Sequence, residues 1–105
     1  MKEDFLSIHV THLNGVAVLA LRGEIDGATA PRLRESVEQV CDLGVPVVLD
    51  MNQVTFMDSS GISALIAASG ICTGVPRSVR IDRPSDQVRR VLSLTGLDTI
   101  LLLEP

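Results

Sequence analysis

Asp58-Ser59-Ser60-Gly61 sets two hydroxyls between a carboxylate and a glycine, directly before a stretch with helical character. Asp, Ser and Gly open helices well, because they satisfy or relieve the first backbone amides, which have no carbonyl partner four residues back. A hydroxyl in that first turn lies near the positive end of the helix dipole, so its own helix tolerates a phosphate there. From Ser59 to Pro76 there is no charged residue. Phosphorylation would bring about −1.5 to −2 units of charge to an otherwise apolar surface beside Asp58, and an interface over that surface would be repelled and desolvated at a cost. The chemistry that fits is a phosphorylation switch, set against a plain reading of all three polar residues as helix caps. Spacing alone leaves both Ser59 and Ser60 open as the acceptor.

Other chemistries find less support. No G-x-S-x-G elbow surrounds either serine, and the two histidines, His9 and His12, belong to the first predicted hairpin, far from Ser59 in sequence. Asp50 falls at the C-terminal end of a predicted strand, where open α/β sheets place ligand-binding groups. It has no second acid at two residues' distance, so hydrogen bonding to the following loop is the expected role. Neither a Walker loop nor G-x-G-x-x-G occurs, which leaves no nucleotide cradle. No metal-ligand cluster and no catalytic constellation is expected. Cys41 and Cys72 lack CxxC spacing and a histidine partner, and read as buried reduced thiols.

The elements that must position the serines follow from periodicity. Val47-Val48-Leu49 is a continuous apolar run, expected as a strand buried on both faces, followed by a short polar loop that reaches Asp58. The helix beyond carries Ile62, Leu65, Ile66 and Ser69 on one side, expected to face a sheet, and Ala64, Ala67, Ala68 and Ile71 on the other. That second side needs another helix or another molecule.

Upstream, Leu6, Ile8 and Val10 alternate on a strand, Asn14-Gly15 suits a type I′ hairpin turn, and Val16 to Arg22 returns. Gly23 to Gly27 reads as a loop. A helix follows over Ala30 to Leu43, with Thr29 as cap, Pro31 in the first turn and Gly44 as stop. Downstream, Ser78 to Asp82 alternates as a strand. A third helix opens at Pro84 or Ser85 and closes at Gly96-Leu97 in a Schellman arrangement, and Ile100 to Leu103 is expected as a last strand. The order β-β-α-β-α-β-α-β predicts one α/β domain over residues 1–105, with a mixed, mostly parallel sheet of about five strands, an N-terminal hairpin and three helices.

Composition narrows the partners. The chain has 105 residues, 46% apolar yet with two Phe and no Trp or Tyr, so stacking platforms for bases are absent. The net charge of −4 argues against direct nucleic-acid binding. No run reaches the length of a bilayer-spanning helix, so membrane insertion is not expected, and a cytoplasmic setting is.

VVLDMNQVTFMDSSGISALIAA resembles the signature of the STAS-domain anti-sigma factor antagonists, the bacterial anti-anti-sigma factors. Gly23-Glu24-Ile25-Asp26 with Ala30-Pro31-Arg32-Leu33-Arg34, and Val88 to Leu97, resemble the family's second-strand end with first helix and its last helix, so the likeness spans nearly the whole chain. It implies that Ser59, directly after the Asp, is phosphorylated by an anti-sigma factor with serine kinase activity. It also implies that the unphosphorylated form binds this factor and frees the sigma factor, and that a serine phosphatase restores the bound state. The implied partner-binding residues are Asp58, Ser60, Gly61, Glu24 and Asp26. No cofactor is implied, since ATP belongs to the kinase, and a monomer or weak dimer is expected. STAS-like chains also act as scaffolds in signalling assemblies and as soluble subunits of membrane lipid-transport complexes, which are the alternative roles.

Overall fold

The protein is described from a computed structural model covering residues 6–41, 44–71 and 79–101. Strands β1 (Leu6–Leu13) and β2 (Val16–Ile25) form the N-terminal hairpin. They pair antiparallel in unbroken register from Leu13↔Val16 to Leu6↔Gly23. Asn14 (φ 52) and Gly15 (φ 78) are both left-handed, as a two-residue type I′ turn requires. Helix α1 (Ala30–Cys41) then leads to β3 (Val47–Met57), which pairs parallel with β2, and α2 (Ser59–Ile71) leads to β4 (Val79–Asp82), parallel to β3. The described sheet therefore has four strands in the order β1-β2-β3-β4.

Helix α3 (Asp86–Thr95) is capped at both ends. Ser85 accepts from the Val88 amide, Gly96 is left-handed at φ 78, and the Leu97 amide reaches the Leu92 carbonyl at 3.0 Å. That last bond, with Gly96 N–H to Ser93 O at 3.3 Å, completes the Schellman motif expected from the sequence. The strand expected at Ile100 to Leu103 is corrected: Asp98–Leu101 is a short helix, α4, and residues 102–103 lie outside the described ones.

Strand β3 differs most from expectation. The polar residues after Asp50 suggested a loop, yet the strand continues to Met57. Its buried positions are Val47, Leu49, Met51, Val54 and Met57, and their spacing lengthens from two to three residues after Met51. The register explains this: β3 gains a residue on β2 between Ala20/Arg22 and again between Gly23/Glu24. Each bulge resets the alternation, so no simple period marks the second half as a strand. Likewise β2 extends through the predicted loop to Ile25, paired with Met57.

One core joins these elements. Ala17, Leu19 and Leu21 of β2, Val47, Leu49 and Met51 of β3, and Val79 and Ile81 of β4 are buried with Leu33 and Val37 of α1 and Val88 and Leu92 of α3. Arg32 of α1 donates to the Leu6 carbonyl, tying the helix to the start of the hairpin. The alanine side of α2 meets another helix as expected, and the departure is Ile66. Ala64, Leu65 and Ala68 are buried and α2 packs on α1, whereas Ile66, expected to face the sheet, is 52% exposed. Alanines let two helix backbones approach closely, so the small-residue side meets the neighbouring helix and turns Ile66 outward.

Cys41 is disulfide-bonded, which corrects the expected reduced thiol. The only other cysteine in the sequence, Cys72, lies outside the described residues.

The burial of Leu65 and exposure of Ile66 give a direct test. Leu65→Ala is expected to cost about 2–5 kcal/mol in urea unfolding, as an emptied core site does. Ile66→Ala should stay within about 0.5 kcal/mol, the range of surface changes.

Candidate functional site

The parallel pairing of β2 with β3 ends at Glu24↔Phe56 and Ile25↔Met57, so the turn after β2 and the entrance to α2 emerge side by side. They are joined by a hydrogen bond from the Asp58 amide to the Ile25 carbonyl at 3.3 Å. Asp58 is the cap of α2: its Oδ1 accepts from the Ser60 amide at 2.8 Å and the Gly61 amide at 3.3 Å. Its carbonyl takes the amides of Gly61 and Ile62 at 3.0 and 3.2 Å. The first-turn amides of Ser60 and Gly61 are thus already satisfied by a carboxylate, and the end of the helix is largely neutralised.

The two serines sit differently. Ser59 is exposed at the first position of α2. Ser60 is half-buried and lines a cleft of about 290 Å³ between α1 and α2 with Gly27, Ala30, Pro31, Arg34, Ser63 and Ala64. Gly27 lies across from Ser60, where a Cβ would sit in ordinary contact, 3.6 Å from Ser60 Oγ. Gly61 is more constrained, since a Cβ would collide with Met57 Cγ and come within 3.1 Å of Ile25 Cγ2. The glycine lets α2 start directly on the ends of β2 and β3.

Glu24 and Asp26 are both half-buried in the adjoining turn. Asp26 Oδ1 accepts from the amides of Ala28 and Thr29 at 3.0 and 3.1 Å, and its carbonyl accepts from the Ala30 amide at 2.8 Å. Thr29, expected as the cap of α1, instead turns its hydroxyl back into the turn, donating to Glu24 O at 2.8 Å and accepting from the Asp26 amide at 3.0 Å. Asp26 takes over the capping. Its spacing, Asp-x-x-Thr, is a local hydrogen-bonding signature that was present in the sequence.

The structure therefore brings together all six residues singled out: Asp58, Ser59, Ser60, Gly61, Glu24 and Asp26. Sequence reasoning missed two apolar neighbours. Phe56, opposite Glu24, is 42% exposed at the end of β3, and Ile66 is exposed two turns along α2 from Ser59. Both were hidden by wrong periods, one behind the β3 bulges and one in the supposed sheet-facing stripe.

Elsewhere, Asp50 Oδ1 accepts from the Asn52 amide at 3.1 Å, a local bond within β3 rather than to the expected loop, and Arg83 Nη1 stands 4.0 Å from its Oδ2. The partner strand sets Asp82 opposite Asp50. Among the described residues no group of three or more His, Cys, Asp or Glu side chains is arranged to hold a metal, and no helix is long and apolar enough to cross a membrane.

A family model, the STAS domain, matches residues 7–105. The chain belongs to the STAS domain family. An anti-sigma-F factor antagonist, RsfB, of Mycobacterium tuberculosis is 37% identical over 98 residues, covering 90% of this chain and 78% of the relative. The crystal structure of an anti-sigma factor antagonist from Mycobacterium paratuberculosis superposes with a TM-score of 0.81 at 30% identity, covering 95% of this chain and 86% of that one. The anti-sigma factor antagonist SpoIIAA shares the fold. Its unphosphorylated form superposes with a TM-score of 0.74 at 21% identity, covering 94% and 89%, and a structure of Bacillus SpoIIAA in the phosphorylated form superposes at 0.67 and 20% identity, covering 94% and 92%. In this STAS domain the Asp58-capped entrance to α2 packs against the turn after β2.

The contact at Gly61 predicts a specific loss. Gly61→Ala should destabilise the fold by about 1–3 kcal/mol, the usual cost of overpacking, read as a lowered urea midpoint. Met57→Ala should cost less in the Gly61→Ala chain than in the wild type, because the collision is with that side chain.

Proposed function

We propose that this STAS domain is an anti-sigma factor antagonist that binds an anti-sigma factor through the Asp58–Gly61 entrance and is switched off by phosphate on Ser59. The observation that carries this reading is the difference between the two serines: Ser59 presents an exposed hydroxyl, whereas Ser60 faces the α1–α2 cleft. The names of the mycobacterial relatives support the antagonist role, and the phosphorylated form of SpoIIAA, which has the same fold, supports phosphate as the switch.

The partner in this reading is an anti-sigma factor that is itself a serine kinase. Ser59 Oγ attacks the γ-phosphorus of ATP held by the kinase, the bond to the bridging oxygen breaks, ADP leaves, and the hydroxyl proton passes to a base of the kinase. A serine phosphatase hydrolyses the phosphoserine and restores the binding form. This chain supplies the acceptor and no cofactor. Glu24, Asp26, Asp58, Ser60 and Gly61 form the contact region, with Phe56 and Ile66 as its apolar flanks. The domain acts as a monomer or weak dimer in the cytoplasm, where the ATP-using partner works.

The switch works by charge. Asp58 already occupies the Ser60 and Gly61 amides, so a phosphate on Ser59 adds to the negative charge of Asp58 and Glu24 and gains little from the helix end. A partner resting on Phe56 and Ile66 would have to desolvate that charge.

Incubation with the kinase and ATP, followed by mass-spectrometric mapping, should place phosphate on Ser59. Phosphate on Ser60 or Ser63 with Ser59 untouched would show the assignment wrong. In titration calorimetry Ser59→Asp is expected to weaken anti-sigma binding by about 1–3 kcal/mol, while Ser59→Ala binds as the unmodified chain does and accepts no phosphate. Equal binding of the two variants would remove the electrostatic argument.

A further inference from the structure

Thr29 is buried, polar and distant from Ser59 in sequence, yet it holds the backbone on both sides of Ile25. Its single hydroxyl donates to the carbonyl of Glu24 and accepts from the amide of Asp26. Ile25, between them, has a fully buried side chain and offers its carbonyl to the Asp58 amide at 3.3 Å. On the other side of that bond, Asp58 orients the first turn of α2 through its Oδ1 and its carbonyl. The Ile25 carbonyl is thus a direct backbone link from the β2 turn to the entrance of α2, beside the strand pairing, and Thr29 fixes the peptides flanking it.

We propose that Thr29 is a positioning residue for the Ser59 acceptor: by clamping Glu24 O and Asp26 N–H it holds the Ile25 carbonyl where it captures the Asp58 amide, and so sets where the entrance to α2 stands. Thr29 acts through Ile25 and Asp58 and touches neither the acceptor nor the partner. Asp26 supports it from the same turn, with Oδ1 on the amides of Ala28 and Thr29 and 3.3 Å from the Thr29 hydroxyl. A hydroxyl is required. A valine fills the same volume but leaves a carbonyl and an amide without their buried partner, and the strand end relaxes to reach water. This inference rests on the reading of Ser59 as the phosphorylated residue only for its effect on phosphate transfer; the clamp itself does not.

The test compares wild type, Thr29→Val and Thr29→Ser by amide hydrogen exchange and by phosphorylation with the anti-sigma kinase. In Thr29→Val the Asp58 amide should exchange about tenfold faster relative to the core amide of Leu49, the consequence of losing one buried hydrogen-bonded clamp. Turnover of phosphorylation should fall about tenfold or more, with a smaller change in KM, because the acceptor is misplaced rather than hidden. Thr29→Ser, which keeps the hydroxyl, should restore both.

An Asp58 amide in Thr29→Val that keeps its wild-type ratio to Leu49 overturns the proposal. So does a Thr29→Ser chain as impaired as Thr29→Val. If Thr29→Val does not fold, native-state exchange of the wild type in rising denaturant decides: the Asp26 and Asp58 amides should open in one step with a common free energy, and clearly separate openings overturn it. A wild type that carries no phosphate on Ser59 refutes the functional reading, while the exchange comparison still decides the clamp.

Discussion

The parallel pairing of β2 with β3, carried two residues beyond its second bulge, is the constraint on which the site depends. It sets Ile25 beside Met57 and lets the Asp58 amide find the Ile25 carbonyl. Both side chains are buried, so a slip of one residue would turn them to the opposite face and expose apolar surface on two strands at once. Without that register the turn after β2 and the entrance to α2 would still exist as local structures. They would no longer form one surface.

Local hydrogen bonding and packing divide the work at this surface. The capping atoms of Asp58 and Asp26 act within three residues along the chain, and each satisfies amides that would otherwise be orphaned at a helix start. They determine where α2 and α1 begin. How the two starts meet is a matter of close contact, with Gly61 against Met57 and Ile25. Gly61 does not have a left-handed backbone; what matters is the missing Cβ. A glycine next to a serine pair in sequence suggests a turn, whereas the fold uses it for approach.

The same arrangement would let a stable fold carry the proposed switch. Ser59 is exposed and belongs to no buried network, so a modified side chain leaves the core of α2, formed by Ala64, Leu65 and Ala68, undisturbed. The helix end is already neutralised by Asp58, which limits how far a phosphate could be absorbed by the dipole. Added charge is therefore felt mainly by whatever rests on the surface. Phe56 and Ile66, both exposed and apolar, are the groups for which such a partner would matter most.

Much of this was legible in the residues. The alternation of β1 and β2, the Asn14-Gly15 turn, the Ser85 and Gly96 caps of α3 and the helix entrance at Asp58 all rest on interactions within a few residues, and local sequence specifies local bonds. The order of elements then left few topologies for an α/β chain. What the tertiary structure decided involves distant segments. The bulges that prolong β3 arise only against β2, and the burial of the alanine side of α2 arises only against α1. Spacing left Ser59 and Ser60 as equals, because adjacent hydroxyls on a helix entrance are chemically alike. Only packing against Gly27 and α1 makes one half-buried and leaves the other in solvent. The exposed oxygen is a property of the fold; the pair of oxygens, with the carboxylate beside them, is a property of the sequence.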